Sequence, residues 1–93
     1  PISKETIYAY PNPVRLEYNG DVIISGLENN SLVWITDSSG DLVFKGRTVG
    51  GSISWNCKNR TGQDVSGGVY MVLVSNEDSD NPNSVATKIL VVR

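Results

Sequence analysis

The sequence predicts an all-β fold: a seven-stranded, antiparallel, immunoglobulin-like β-sandwich without a disulfide. Three observations carry that prediction. Apolar residues recur with period two rather than 3.6, which favours strands with one buried face over helices. Turn residues return every ~8–12 residues, the spacing of small sandwich domains, and nine glycines and four prolines supply them. The length of 93 residues, with 39% hydrophobic and 19% charged residues, supports one core and excludes wholesale disorder. The chain therefore reads as a single domain, residues 1–93. Cys57 is the only cysteine, so no internal disulfide can form. The core must rest on packing alone, with Trp34, Trp55, Phe44 and Tyr70 as candidates for its bulk.

Each element follows from local chemistry. Residues 7–10 are extended, and Pro11-Asn12-Pro13 then interrupts any regular ladder, because proline lacks a donor and biases its predecessor toward extended geometry. Val14, Leu16 and Tyr18 alternate with Arg15 and Glu17, which predicts a further extended stretch. Asn19-Gly20 predicts a type I′ turn. Residues 21–25 resume with Val22 and Ile24 on one face. Residues 32–36 and 42–47 predict a hairpin around Asp37-Ser38-Ser39-Gly40. After Gly50-Gly51, residues 52–56 place Ile53 and Trp55 inward and Ser52 and Ser54 outward. Residues 59–64 are a polar turn around Gly62. Residues 69–74 are almost wholly apolar, which predicts a central strand. An acidic and polar loop spans 76–84, and residues 87–92 close the fold as a last strand. Gly26, Gly40, Gly62 and Gly68 are expected where the backbone needs positive φ.

Inventory argues against catalysis. With no histidine, the usual general base and the commonest zinc ligand are both missing. No nucleophile elbow or phosphate loop occurs. Asp37 with Asp41, and Asp78 with Asp80, sit together on turns, where aspartate is favoured for its own backbone bonding; two acids on one exposed turn do not form a cleft. Asp78-Ser79-Asp80-Asn81-Pro82-Asn83 alternates oxygen ligands like the start of a calcium loop, but lacks the turn glycine and the distal glutamate, and reads as a polar loop. No cofactor is expected. Asn29-Asn30-Ser31 and Asn59-Arg60-Thr61 match the glycosylation triplet, a pattern frequent by chance. A net charge of −2 without a basic cluster argues against nucleic acid. No apolar run approaches the ~20 residues of a membrane helix. The chain starts at Pro1 without Met, and reads as a piece of a longer secreted protein.

An ordered series of motifs runs through the chain: Tyr10-Pro11-Asn12-Pro13-Val14, Ile24-Ser25-Gly26-Leu27, Val33-Trp34-Ile35-Thr36-Asp37 with Ser39-Gly40, Gly51 and Ser54-Trp55-Asn56, Gly62 with Val65, Gly67-Gly68-Val69-Tyr70, and finally Lys88-Ile89-Leu90-Val91-Val92-Arg93. Over about residues 8–93 this resembles the C-terminal sorting domain of the type IX (Por) secretion system of Bacteroidetes. The resemblance implies the same sandwich and a role: a signal domain that reaches the periplasm and is recognised there by an outer-membrane translocon, for delivery to the outer membrane surface or the exterior. It implies translocon and attachment-complex proteins as partners, beside the domain's own parent chain. It also implies recognition at Gly68, Tyr70, Lys88, Leu90, Val91, Val92 and Arg93. Such domains are cleaved from many clients and retained in some components of the machinery. The expected mechanism is capture of the terminal strand by added β-pairing, and an edge strand of this kind is also compatible with a homodimer. The alternative is a retained structural or binding module at the end of a large surface or secretion-accessory protein. Carbohydrate stacking on Trp34 or Trp55 is a sub-case of it.

Overall fold

The computed structural model describes residues 7–15, 17–75 and 85–92. Among these described residues seven strands form: β1 (Tyr8–Tyr10), β2 (Val22–Ser25), β3 (Leu32–Thr36), β4 (Leu42–Arg47), β5 (Ile53–Trp55), β6 (Gly68–Ser75) and β7 (Val85–Val91). They make two antiparallel sheets, one in the order β1-β2-β5 and one in the order β4-β3-β6-β7. The fourth strand thus joins the sheet of the sixth and seventh, a three-plus-four division unlike the four-plus-three of antibody constant domains. No helix occurs among the described residues.

The core fills the space between the sheets, as the period-two pattern requires. Val22 and Ile24 from β2, Trp55 from β5, Val33 and Ile35 from β3, Val72 from β6 and Ile89 from β7 are fully buried. Trp55 and Tyr70 meet at 5.6 Å between ring centroids, and the indole Nε1 donates to Lys58 O at 3.0 Å. The core candidates divide. Trp55 and Tyr70 are central and Phe44 packs from the margin, but Trp34 lies on the opposite, outer face of its sheet, because Val33 and Ile35 take the inner one. Cys57 is buried in the same core cluster.

Two reversals share one construction. Asp37 Oδ1 accepts from the N–H groups of Ser39 and Asp41, while Asp37 N donates to Asp41 O and Gly40 N to Asp37 O. Asn59 repeats this: Oδ1 accepts from Thr61 N and Gln63 N, Asn59 N donates to Gln63 O, and Gly62 N donates to Asn59 O. The glycine at the fourth position has φ +91° in the first and +87° in the second, where a Cβ would be strained. The Asn59 loop is also bracketed by an ion pair, Lys58 Nζ to Asp64 Oδ1 at 2.7 Å. Gly26 and Gly68 likewise have positive φ, as expected.

Two expectations fail near residues 14–20. The described residues of 14–18 form no strand; Tyr18 N donates back to Arg15 O, closing a turn, and Tyr18 Oη donates to Asp21 O. Nor does Asn19-Gly20 form a type I′ turn, since neither residue has positive φ. The Tyr18 ring folds over Gly20, its Oη 2.5 Å from where a Cβ would lie, so a side chain there would make the exposed tyrosine swing aside.

Candidate recognition surface

The residues that the resemblance singles out do not form one surface. Tyr70 is buried at the start of β6, and its hydroxyl donates to Ser66 O at 2.6 Å. That is the tyrosine corner of immunoglobulin-like domains, a tyrosine that ties the strand entrance to backbone a few residues upstream. Val72, two residues on, is fully buried where antibody domains carry their second cysteine. Gly68, at φ +152°, supplies the backbone turn into the strand. Gly68 and Tyr70 therefore serve the fold, with no exposed side chain to be read.

The terminal strand divides by alternation. Ile89 and Val91 point into the core, fully buried and 2% exposed. Leu90 and Val92 point outward at 43% and 40%, next to Lys88 and to Val69, which is 41% exposed and pairs with Leu90. Side chains available to a partner are thus Lys88, Leu90 and Val92, with Val69 as an addition that the motifs did not single out. Arg93, and the calcium-like stretch 78–83, lie outside the described residues.

The backbone of β7 differs from expectation. β7 ends the strand order of its sheet, so its outer edge should offer open donors and acceptors. Over its C-terminal half that edge is already occupied. Asn12 Nδ2 donates to Lys88 O at 2.8 Å and Asn12 Oδ1 accepts from Leu90 N at 3.0 Å. Val14 N then donates to Leu90 O, and Val92 N to Val14 O, both at 2.7 Å, in a parallel bridge to Val91. Val14 is 1% exposed and anchors this strap in the core. The expected capture of Leu90–Val92 by added backbone pairing is corrected accordingly: the chain augments that edge itself. Pro11 and Pro13 have no N–H, which leaves the Asn12 side chain to supply the pairing between them.

The same accounting covers the glycosylation triplets. Asn29 Oδ1 accepts from Gly50 N at 2.8 Å, and Asn59 organises its own loop. Among the described residues there is no group of three or more potential metal ligands.

Against solved structures the chain is similar to PorZ, described as an essential bacterial surface component of the type-IX secretion system of human oral-microbiomic Porphyromonas gingivalis, with a TM-score of 0.81 and 35% identity over 96% of this chain. The chain is a relative of a type IX secretion component. It spans 12% of the length of PorZ. A second structure, dimeric latent PorU from Porphyromonas gingivalis, matches with a TM-score of 0.63 and 24% identity over 92% of this chain and 9% of that one, a likeness of fold. No family model and no curated protein matches the chain. For this type IX relative, the described geometry assigns Gly68, Tyr70, Ile89 and Val91 to the fold and leaves Lys88, Leu90 and Val92 exposed.

Proposed function

We infer that this domain is a non-catalytic secretion and sorting module, recognised in its folded form by the type IX machinery and delivered with its parent chain to the cell surface. The observation that carries the reading is the terminal strand. Its inward residues complete the core, while Lys88, Leu90 and Val92 stay outside although two of them are apolar. Exposed apolar side chains beside a cation, on a strand held by the core, are what a receptor needs in order to bind a rigid face rather than a loose tail. Since the strap occupies the edge, recognition falls on side chains, with backbone pairing left to residues 85–87. The likeness to PorZ supports membership in this secretion route.

The experiment is a fusion of the 93-residue chain to the C-terminus of a periplasmic reporter in a type IX-competent host. The expected result is reporter at the cell surface, lost when the translocon is inactivated. Reporter that stays periplasmic in the competent host refutes the sorting reading. The mass of the surface reporter distinguishes a cleaved signal from the second reading, a retained module like a segment of a surface component, which the 35% identity to PorZ favours.

A further inference from the structure

The outer face of the four-stranded sheet is apolar in the middle and cationic at both edges. Register places Trp34 between Lys45 and Leu73, and Met71 between Thr36 and Lys88, so these side chains share the solvent face. Trp34, Thr36, Gly40, Leu42, Met71 and Leu73 line a depression of about 440 Å³ on it. Of the residues in all seven strands only Lys45, Arg47 and Lys88 are charged, all three are basic, and all three belong to this sheet. In a chain of net charge −2 that segregation is specific to this face. Lys45 Nζ stands over the ring of Trp34, one of the residues lining the depression, 5.9 Å from its centroid.

We propose that this face docks an acidic polypeptide segment that places one apolar side chain in the Trp34–Met71–Leu73 depression and carboxylates on Lys45 and Lys88. The spacing sets the pattern. Lys45 on β4 and Lys88 on β7 are separated by three strand intervals at ~4.8 Å each and offset by two residues of register, Lys45 lying opposite Trp34 and Lys88 in the row of Thr36 and Met71, a direct span of about 16 Å. An extended peptide rising ~3.3 Å per residue covers about 13 Å in four residues, and the flexible lysine stems close the remainder. Residues i, i+2 and i+4 of such a peptide point to one side. The fitting sequence is therefore acid, any, large apolar, any, acid. A second copy packed face to face is disfavoured, because it would oppose Lys45, Arg47 and Lys88 with their own kind. A flat anionic membrane is disfavoured by Asp37 and Asp41, which flank the turn whose Gly40 walls the depression. A narrow peptide avoids those acids by crossing toward Lys45. This surface is argued from register and charge, and stands or falls separately from the sorting reading.

The probe is a synthetic peptide centred on Glu-Thr-Leu-Thr-Glu, titrated into the 93-residue chain at low salt and followed by NMR shifts of the Trp34 indole and of Leu42, Met71 and Leu73. The expected result is saturable shifts confined to those groups, absent with the matched Lys-Thr-Leu-Thr-Lys peptide. Trp34→Ala weakens binding by about tenfold or more, as loss of a central aromatic anchor does. Should that variant fail to fold, the exchange of exposed charges carries the test: Lys45→Glu with Lys88→Glu reverses the preference, so that the lysine peptide binds and the glutamate peptide does not. Equal binding of both peptides, no binding of the acidic one, or shifts elsewhere on the molecule overturns the proposal. So does self-association through this face in sedimentation, or binding to phosphatidylglycerol vesicles in place of the peptide.

Discussion

Asn12 takes the place of a neighbouring strand beside Leu90. Its side-chain amide receives the Leu90 N–H at 3.0 Å and reaches back to the Lys88 carbonyl at 2.8 Å, the two bonds a strand residue would make with its backbone. Val14 continues the pairing past Leu90 with its own main chain. The Pro-Asn-Pro-Val segment and the terminal strand, 76 residues apart at Asn12 and Lys88, are thus one structural unit.

Asn12→Ala should therefore loosen the last strand. Two exposed hydrogen bonds at roughly 0.5–1.5 kcal/mol each put the loss at about 1–3 kcal/mol, or a fall in Tm of ~4–8 °C per kcal/mol for a domain of this size. The uncovered edge should also pair with other copies. Thermal unfolding and sedimentation check both effects; an unchanged Tm with a monomeric variant would show that the amide contributes nothing.

Tyr70→Phe keeps the ring against Trp55 and removes only the bond to Ser66 O. The expected loss is about 1–1.5 kcal/mol by denaturant unfolding, with surface delivery intact so long as the domain folds. Abolished delivery at unchanged stability would return Tyr70 to the role of a recognition residue.

Gly40→Ala and Gly62→Ala should each cost about 1–2 kcal/mol, because each forces a Cβ into positive φ in the same loop design. The loops lie apart in the chain and share no bond, so the double variant should be close to additive. Denaturant unfolding of the three variants checks this, and a large coupling would contradict two independent loops.

Trp55→Ala and Trp34→Ala should separate sharply. Trp55 is fully buried, and its truncation should remove about 3–5 kcal/mol. Trp34 packs on the outer face, and its loss should be well under half as damaging. Equal destabilisation of the two variants would contradict the assignment of faces.

Much of this was legible in the sequence. Period-two alternation located β2 and β5, and an unbroken apolar run located β6, while the same alternation at 14–18 misled, because the segment after Pro13 straps onto the last strand instead of pairing as a strand of its own. Gly40 and Gly62 announced their turns, because few residues other than glycine adopt their φ without strain. Trp34 was ambiguous for a physical reason: its neighbours on both sides are apolar, so alternation alone could not choose a face. The strap was invisible because Asn12 pairs through its side chain with a strand 76 residues away, and no local pattern encodes that contact. The motif at Gly68 and Tyr70 marks residues that hold the strand entrance, but a motif cannot tell a corner that holds the fold from a surface that is read. Asn59 looked like a chance glycosylation triplet, whereas its relation to Asp37 was there to be found: Asp37-Ser38-Ser39-Gly40-Asp41 and Asn59-Arg60-Thr61-Gly62-Gln63 share the same order of capping side chain, hydroxyl and glycine.

The sorting reading turns on whether the outward side chains of the last strand are read. Deleting the end of the chain cannot decide it, since Ile89 and Val91 belong to the core and the domain would unfold. Leu90→Thr with Val92→Thr changes only the exposed face and keeps strand-compatible side chains. The decisive measurement is surface display of a reporter fused to this double variant, with Tm recorded on the same protein. Loss of display at unchanged Tm is the predicted result; full display at unchanged Tm would contradict recognition through that face.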